Sequence, residues 1–415
     1  LRINVAGADV STADLRGSRA GKLSRAEAER SDDLTRIDDI KEGSTTGRFS
    51  RIRHLISWAV STVAALCAVL ALAPRSGQTA TGADPNAGVV RISLVAGGDV
   101  MFGRLKGRKL RPFGYDDPFR LVKPLLSGND LVMLNLETPI TSGVHYYRRK
   151  SSLLFRAKPK AARIIKKAGF NLVVTANNHC HDQKDKGLEE TIDYLKRQGL
   201  AWAGTGRTSK EAWKPYIFEK KGVTVGVLAL TRLNNYNFPA QKSNYAHLIR
   251  QRVRKDLPPK VAKLAKKVDF TVVVLHWGVE YKHYVIARER RLIRLLEKAG
   301  CDLFIGHHPH VLRGIQKHGD MVAFYSLGNF LFDGARGRTA EAGLARAVFE
   351  KRGSTRRLAK AELIPLILNG PGRIPRPATG SVAKRINRKV ARYSRAFRKT
   401  TKLRVRQDRL EVVLR

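Results

Sequence analysis

Between Ile305 and His310 the sequence reads IGHHPH, which places His307, His308 and His310 directly behind the apolar run CDLFI. Imidazole is the commonest protein ligand for transition metals, and the alternate positions His308 and His310 can grip one site. Other candidate ligands lie far apart in the chain. Asp99 follows ISLVAGG, Glu137 follows LVMLNL, Asn178 and His179 follow NLVVTAN, and His276 follows FTVVVL. Asp99, Glu137, Asn178, His276, His308 and His310 make a mixed oxygen and nitrogen set that suits one or two divalent ions such as Mn²⁺, Fe²⁺ or Zn²⁺. A carboxylate can bridge two ions, and two-metal sites activate water against a phosphate or acyl centre. Each residue alone has an ordinary reading: Asp99 as a helix cap, Asn178 in a turn, His276 as a satisfied core histidine. Their weight comes from recurring at one kind of place.

That place is the end of a strand. Val89–Ala96, Leu131–Leu136, Asn171–Ala176, Val223–Leu230, Phe270–Leu275 and Asp302–Gly306 are short apolar, β-prone runs. Helical patterns separate them. PKAARIIKKAG sets Ala161, Ile164, Ile165 and Ala168 on one face, and GLEETIDYLKRQG and ARERRLIRLLEKAG follow the same period. Strand–helix alternation predicts an α/β domain with a mostly parallel centre. MVAFYSL, LARAVFEK and LAKAELIPLIL add later strands, the last two antiparallel. In open α/β sheets ligands gather at the carboxyl ends of strands, where all of these polar residues stand. AGTGRT lacks the GK[ST] ending of a phosphate loop and reads as a plain loop. Cys180 has no general base placed for it by spacing.

The motifs GGDVMFGR, NLETPIT, TANNHCHD, GTGRTSKEA, LHWGVEY, GHHPHVLRGI and YSLGNFLFD, in that order from Gly97 to Asp333, resemble those of the CapA family of capsule-biosynthesis proteins. The family is similar in fold to calcineurin-like metallophosphoesterases. The resemblance therefore implies a four-layer α/β/β/α sandwich with a dinuclear centre between the sheets. It implies Asp99 as a first-metal ligand, Glu137 as the bridging carboxylate and Asn178 as a second-metal ligand. His276, His308 and His310 would be the remaining imidazole ligands, and His179 would protonate a leaving group. Arg104, Glu280 and Asn329, in the same motifs, are expected on the substrate side. Two positions depart from the superfamily pattern: Met101 stands where a histidine is usual, and NLE replaces the GDxxDR box. The first metal site is thereby a ligand short.

With 415 residues, 43% of them hydrophobic, most of the chain can form a sizeable core. A net charge of +44 points to polyanionic surroundings or a polyanionic partner. The resemblance narrows this to an anionic polymer such as poly-γ-glutamate, with other capsule-synthesis membrane proteins as possible neighbours. No aromatic-interleaved basic stripe is present, so nucleic acid is not the expected partner. Cys67, Cys180 and Cys301 are too few for a disulfide scaffold.

The uncharged run Leu55–Ala73, preceded by Arg48, Arg51 and Arg53, has about the length that crosses a bilayer, ~20 residues. Its arginine cluster predicts a cytoplasmic N-terminus and an extracytoplasmic main domain. The long polar lead favours an anchor. Ala71–Ala73 also resembles a cleavage site, so secretion after processing is the alternative. Residues 1–50 are expected to be disordered and cytoplasmic, 51–75 the anchor, 76–90 a linker and 91–370 the domain. Residues 371–415 are expected as a basic extension whose helix docks through Ile386, Val390, Tyr393 and Phe397. The chain begins with Leu1 rather than Met, as a truncated piece or an overextended gene start would. The functional expectation is a membrane-anchored, metal-dependent hydrolase of capsule-polymer biosynthesis. The alternatives are a secreted metallophosphoesterase and a non-catalytic polyanion-binding module.

Overall fold

The apolar runs become strands buried on both faces, the pattern that helix-covered parallel sheets impose. In the computed structural model, residues 88–103, 117–145, 153–236, 244–248, 252–369 and 373–414 are described. The expected span Leu55–Ala73, the segments on either side of it up to residue 87, and Arg104 lie outside them. Among the described residues, no helix is long and apolar enough to cross a membrane.

The elements run in chain order as β1 (Val89–Val100), α1 (Lys123–Leu126), β2 (Leu131–Leu136), α2 (Lys160–Lys167), β3 (Leu172–Val174), α3 (Lys184–Arg197), β4 (Ala201–Ala203), α4 (Ser209–Ala212), β5 (Tyr216–Lys220), β6 (Val223–Thr231), α5 (Val253–Ala265), β7 (Phe270–His276), α6 (Ala287–Lys298) and β8 (Leu303–His307). There follow β9 (Ile315–His318), β10 (Met321–Phe324), β11 (Asn329–Leu331), β12 (Glu341–Arg352), β13 (Thr355–Leu368), β14 (Pro375–Pro377), α7 (Gly380–Tyr393), β15 (Lys402–Val405) and β16 (Leu410–Val413). One sheet has the order β15-β16-β13-β12-β1-β2-β3-β4, with β11 beside β1 and β14 beside β13. The other has the order β5-β6-β7-β8-β10-β9. The strands β1 to β4 are mutually parallel, as are β6, β7 and β8.

Period-two alternation sorts the side chains into layers. Leu94 and Ala96 of β1, Val225 and Val227 of β6, Val272 and Val274 of β7, and Ile305 of β8 share one core between the sheets. The opposite face of the first sheet, through Val95, Val132 and Val173, packs on Ala161, Ile164 and Ile165 of α2 and Leu195 of α3. The opposite face of the second, through Leu228, Val273 and Phe304, packs on Leu257 and Val261 of α5 and Ile293 and Leu296 of α6. Helices thus cover the outer faces of two stacked sheets.

The segment read as a basic extension belongs to this body. Its strands β14 and β16 pair with β13. Helix α7 touches β13 and β15 of one sheet and β9 of the other. Ala383, Ile386 and Val390 enter the core between the sheets, and Phe397 joins the packing against the second sheet. The expected apolar stripe docks as its spacing predicts, except that Tyr393 is only half-buried.

Candidate metal centre

The ends of β1, β2, β7 and β8 meet at one pole of the sandwich because these strands run parallel within their sheets. Asp99 leaves β1 with its N–H donating to Gly328 O at 3.0 Å, and Glu137 leaves β2 donating to Val100 O at 2.8 Å. Two glycines permit the approach. A Cβ on Gly98 would collide with the Gly328 carbonyl, and one on Gly306 with the Tyr325 carbonyl. Beyond β8 the chain turns through His308 at φ 95° and His310 at φ 57°. Both lie in a region that non-glycine residues rarely occupy. Such strain gathers at functional sites. Here the turn aims the His308 N–H at Asp99 Oδ2, 3.1 Å away.

Around the two carboxylates stand the predicted imidazoles and amide. His276 Nε2 lies 2.8 Å from Asn178 Oδ1 and 3.5 Å from Glu137 Oε1. His310 Nδ1 lies 3.5 Å from Asp99 Oδ2, and its Nε2 lies 3.9 Å from Glu137 Oε1. The His276 and His308 rings are 5.0 Å apart. Among the described residues, ligand atoms fall within 4.8 Å of one another in three trios: Glu137, His276 and His308; Asp99, Glu137 and His310; Glu280, His308 and His310. Glu137 belongs to the first two. An ion held by each of those two trios would share this carboxylate.

The tautomer of His310 follows from its neighbour. Asn329 Nδ2 donates to Thr339 O, so Oδ1 is the acceptor facing His310 Nδ1 at 2.9 Å. Nδ1 therefore carries the proton, and Nε2 keeps its lone pair for the site.

Electrostatics fit a divalent cation. Asp99 and Glu137 are fully buried. Burial alone would raise the Asp99 pKa, yet contact with His307, together with the fields of His310 and His276, holds its carboxyl well below the usual range. Burial pushes His276 far down, His308 down to about 3, and His310 down, so all three are neutral ligands at neutral pH. Nδ1 of His308 is buried with no hydrogen-bond partner among the described residues. A buried carboxylate pair beside neutral imidazoles needs positive charge, since burying net charge uncompensated is costly. The residues present fit an ion.

The family profile described as bacterial capsule synthesis protein PGA_cap matches residues 93–334, which include every residue of this centre. The chain belongs to the PGA_cap family. The "PGA biosynthesis protein CapA" of Bacillus subtilis (strain 168) is 32% identical over 260 residues, covering 62% of this chain and 68% of that protein. The "Capsule biosynthesis protein CapA" of Bacillus anthracis is 29% identical over 332 residues, 78% of each. Among solved structures, Haemophilus influenzae NAD nucleotidase (NadN) aligns with 73% of this chain and 56% of its own at 10% identity and a TM-score of 0.37. At that level it supports no argument about activity.

Within this PGA_cap chain, His179 stands beside the metal ligands rather than among them. Its Nδ1 donates to Asp182 Oδ2 at 2.8 Å, Tyr236 donates to Asp182 Oδ1 at 3.1 Å, and the ring stacks on Phe155 with centroids 3.9 Å apart. With Nδ1 engaged, Nε2 is the nitrogen left to meet a substrate. Cys180 is buried, and burial pushes its thiol up to about 12, which works against a thiolate there. Met101 is fully buried against Phe155 and Phe332, so the usual imidazole position is apolar here.

Two residues expected on the substrate side are among the described ones. Asn329 is buried, and its amide is engaged with His310 and Thr339. Glu280 is exposed but shares a trio with His308 and His310, at the mouth of the centre. Three further residues were given no role by sequence reading. His307 Nδ1 lies 3.0 Å from Asp99 Oδ1. Asn135 Nδ2 donates to Asp99 at 2.8 Å and lies 3.3 Å from His276 Nδ1. Asp182 orients His179. The first histidine of GHHPH, Asn135 within LVMLNL and the aspartate that closes TANNHCHD were the available signals.

Proposed function

We propose that this chain is a metal-dependent hydrolase of capsule or envelope polymer biosynthesis, with a calcineurin-like metallophosphoesterase-type sandwich. It is held at the cell membrane by Leu55–Ala73 with its main domain outside the cytoplasm, and it acts on poly-γ-glutamate or a similar anionic polymer. The observation that carries the chemistry is the pair of ligand trios sharing the buried Glu137. Family membership and the charge of +44 support the polymer.

Asp99, Glu137 and His310 would hold one divalent ion, of Mn, Fe or Zn, and Glu137, Asn178, His276 and His308 a second. When bound, such ions supply Lewis acidity and lower the pKa of water. The chain's own residues do the rest. Asn329 fixes the His310 tautomer, and Asn135 and His307 hold Asp99 charged and in place. Asp182 keeps Nε2 of His179 facing the leaving group, to which it delivers a proton. A residue that donates in this way contributes about 10²–10⁴-fold.

The test joins metal analysis to a hydrolysis screen over phosphoesters and γ-glutamyl polymers. Glu137→Gln keeps the shape but removes the shared charge. The variant is expected to lose most bound metal and all metal-dependent turnover while remaining folded. Wild-type metal content in that variant would sink the shared-carboxylate reading. Turnover confined to phosphoesters would replace the polymer by a small phosphoester substrate.

A further inference from the structure

Helix α7 carries Lys384, Arg385, Arg388, Lys389 and Arg392 without a single acidic residue. With Arg395 they line one open cleft of about 660 Å³. Two of the six are accounted for, because Arg385 and Lys389 both pair with Glu341 at the start of β12. The other four, Lys384, Arg388, Arg392 and Arg395, are exposed and have no carboxylate partner among the described residues. Like charges at i,i+4 spacing destabilise a helix, and Lys384, Arg388 and Arg392 have that spacing. The row repeats one charge about every 6 Å along the helix.

The surroundings narrow the occupant. The apolar face of α7 is sealed between the sheets, so the helix has none left to enter a bilayer. Tyr393 stacks on His283 with centroids 4.4 Å apart and offers no free platform for a base. What remains is regularly spaced positive charge on a rigid helix. Another face of α7, through Tyr393 and His283, leads toward the metal centre. His283 lies three residues after Glu280, and the Tyr281 ring is 6.2 Å from His310. Tyr281 and His283 are two residues apart, at most ~7 Å of backbone.

We propose that the α7 cleft is a second binding site, apart from the metal ligands, that holds an extended polymer carrying one carboxylate per repeat. It rests on the reading of the chain as a capsule-polymer protein and places the polymer's grip outside the reaction centre.

The full chain is titrated with labelled poly-γ-glutamate at low and near-physiological salt. Wild type is compared with the fourfold variant Lys384→Gln, Arg388→Gln, Arg392→Gln, Arg395→Gln. The expected result is about a tenfold or greater loss of affinity at low salt and a flatter salt dependence, because screening acts over ~8–10 Å. Metal content should match the wild type. The single changes Arg388→Gln and Arg392→Gln, each expected to show part of the loss, serve if the fourfold variant does not fold. Unchanged affinity overturns the cleft. So does binding, through these residues, of inorganic polyphosphate or phosphatidylglycerol vesicles without poly-γ-glutamate. Failure of the hydrolase reading looks different: no metal-dependent turnover in the wild type, with polymer binding still lost in the fourfold variant.

Discussion

Beyond the ligand set, Asp182 is buried beside His179 and fixes its orientation. It accepts from both His179 and Tyr236, and it sits three residues after the histidine rather than beside it. Asp182→Asn keeps the volume but allows the amide to face His179 with its N–H groups, which reverses the imbalance that sets the tautomer. Turnover of a small substrate should fall by about 10–100-fold, as it does when outer partners of site histidines are removed. Metal content should be unchanged. Parallel loss of metal would show that Asp182 shapes the ligand set rather than the proton donor.

At the scale of elements, α7 is a structural wedge as well as a charged surface. Ile386 is fully buried between the sheets. Ile386→Ala should cost about 2–5 kcal/mol, read as a lower urea midpoint, with metal content preserved in the folded fraction because no ligand lies on α7. Helix α5 shows the opposite lesson for sequence reading. Pro258 and Pro259 lie inside it, and proline normally ends a helix. Burial of Leu257, Val261 and Leu264 against the second sheet outweighs that local penalty. The strands β9, β11, β14, β15 and β16 have only three or four residues each. That is too short for a periodic signal.

For the whole molecule, acid stability follows from the buried histidines. Burial lowers His247 and His276, His308 goes down to about 3 under burial and the nearby His310, and burial lowers His283. In the unfolded chain these groups titrate near ~6.5. Below that pH the unfolded state binds more protons than the native one, so stability falls as pH falls. The chelated protein should hold its urea midpoint above about pH 6.5 and lose it progressively from there downward. A midpoint flat from pH 7 to 4 would contradict neutral buried imidazoles. Topology gives a second test at this scale. A reporter fused after Arg415 should be active outside the cytoplasm if, as proposed, arginines on the near side of Leu55–Ala73 hold the N-terminus in. Cytoplasmic activity of that reporter would reverse the proposed localisation.

Much of the fold and of the centre is legible in the chain alone. The strands β2, β6, β7 and β8 are continuous apolar runs, long enough to read. Asp99, Glu137, Asn178, His276, His308 and His310 announce themselves because each follows such a run directly, and parallel strands bring such ends to one pole. The contacts these and other polar residues make were decided across the fold. His307 reaches Asp99 over more than 200 residues, Asn329 turns inward to His310, and Glu280 joins two histidines from another loop. The basic tail became part of the body because β16 and α7 had partners in β13 and β9. Local sequence sets which backbone a segment prefers and which face is apolar. Which polar atom meets which is set only when the two sheets close, because hydrogen bonds and ion pairs depend on ångström-scale placement that no periodicity encodes.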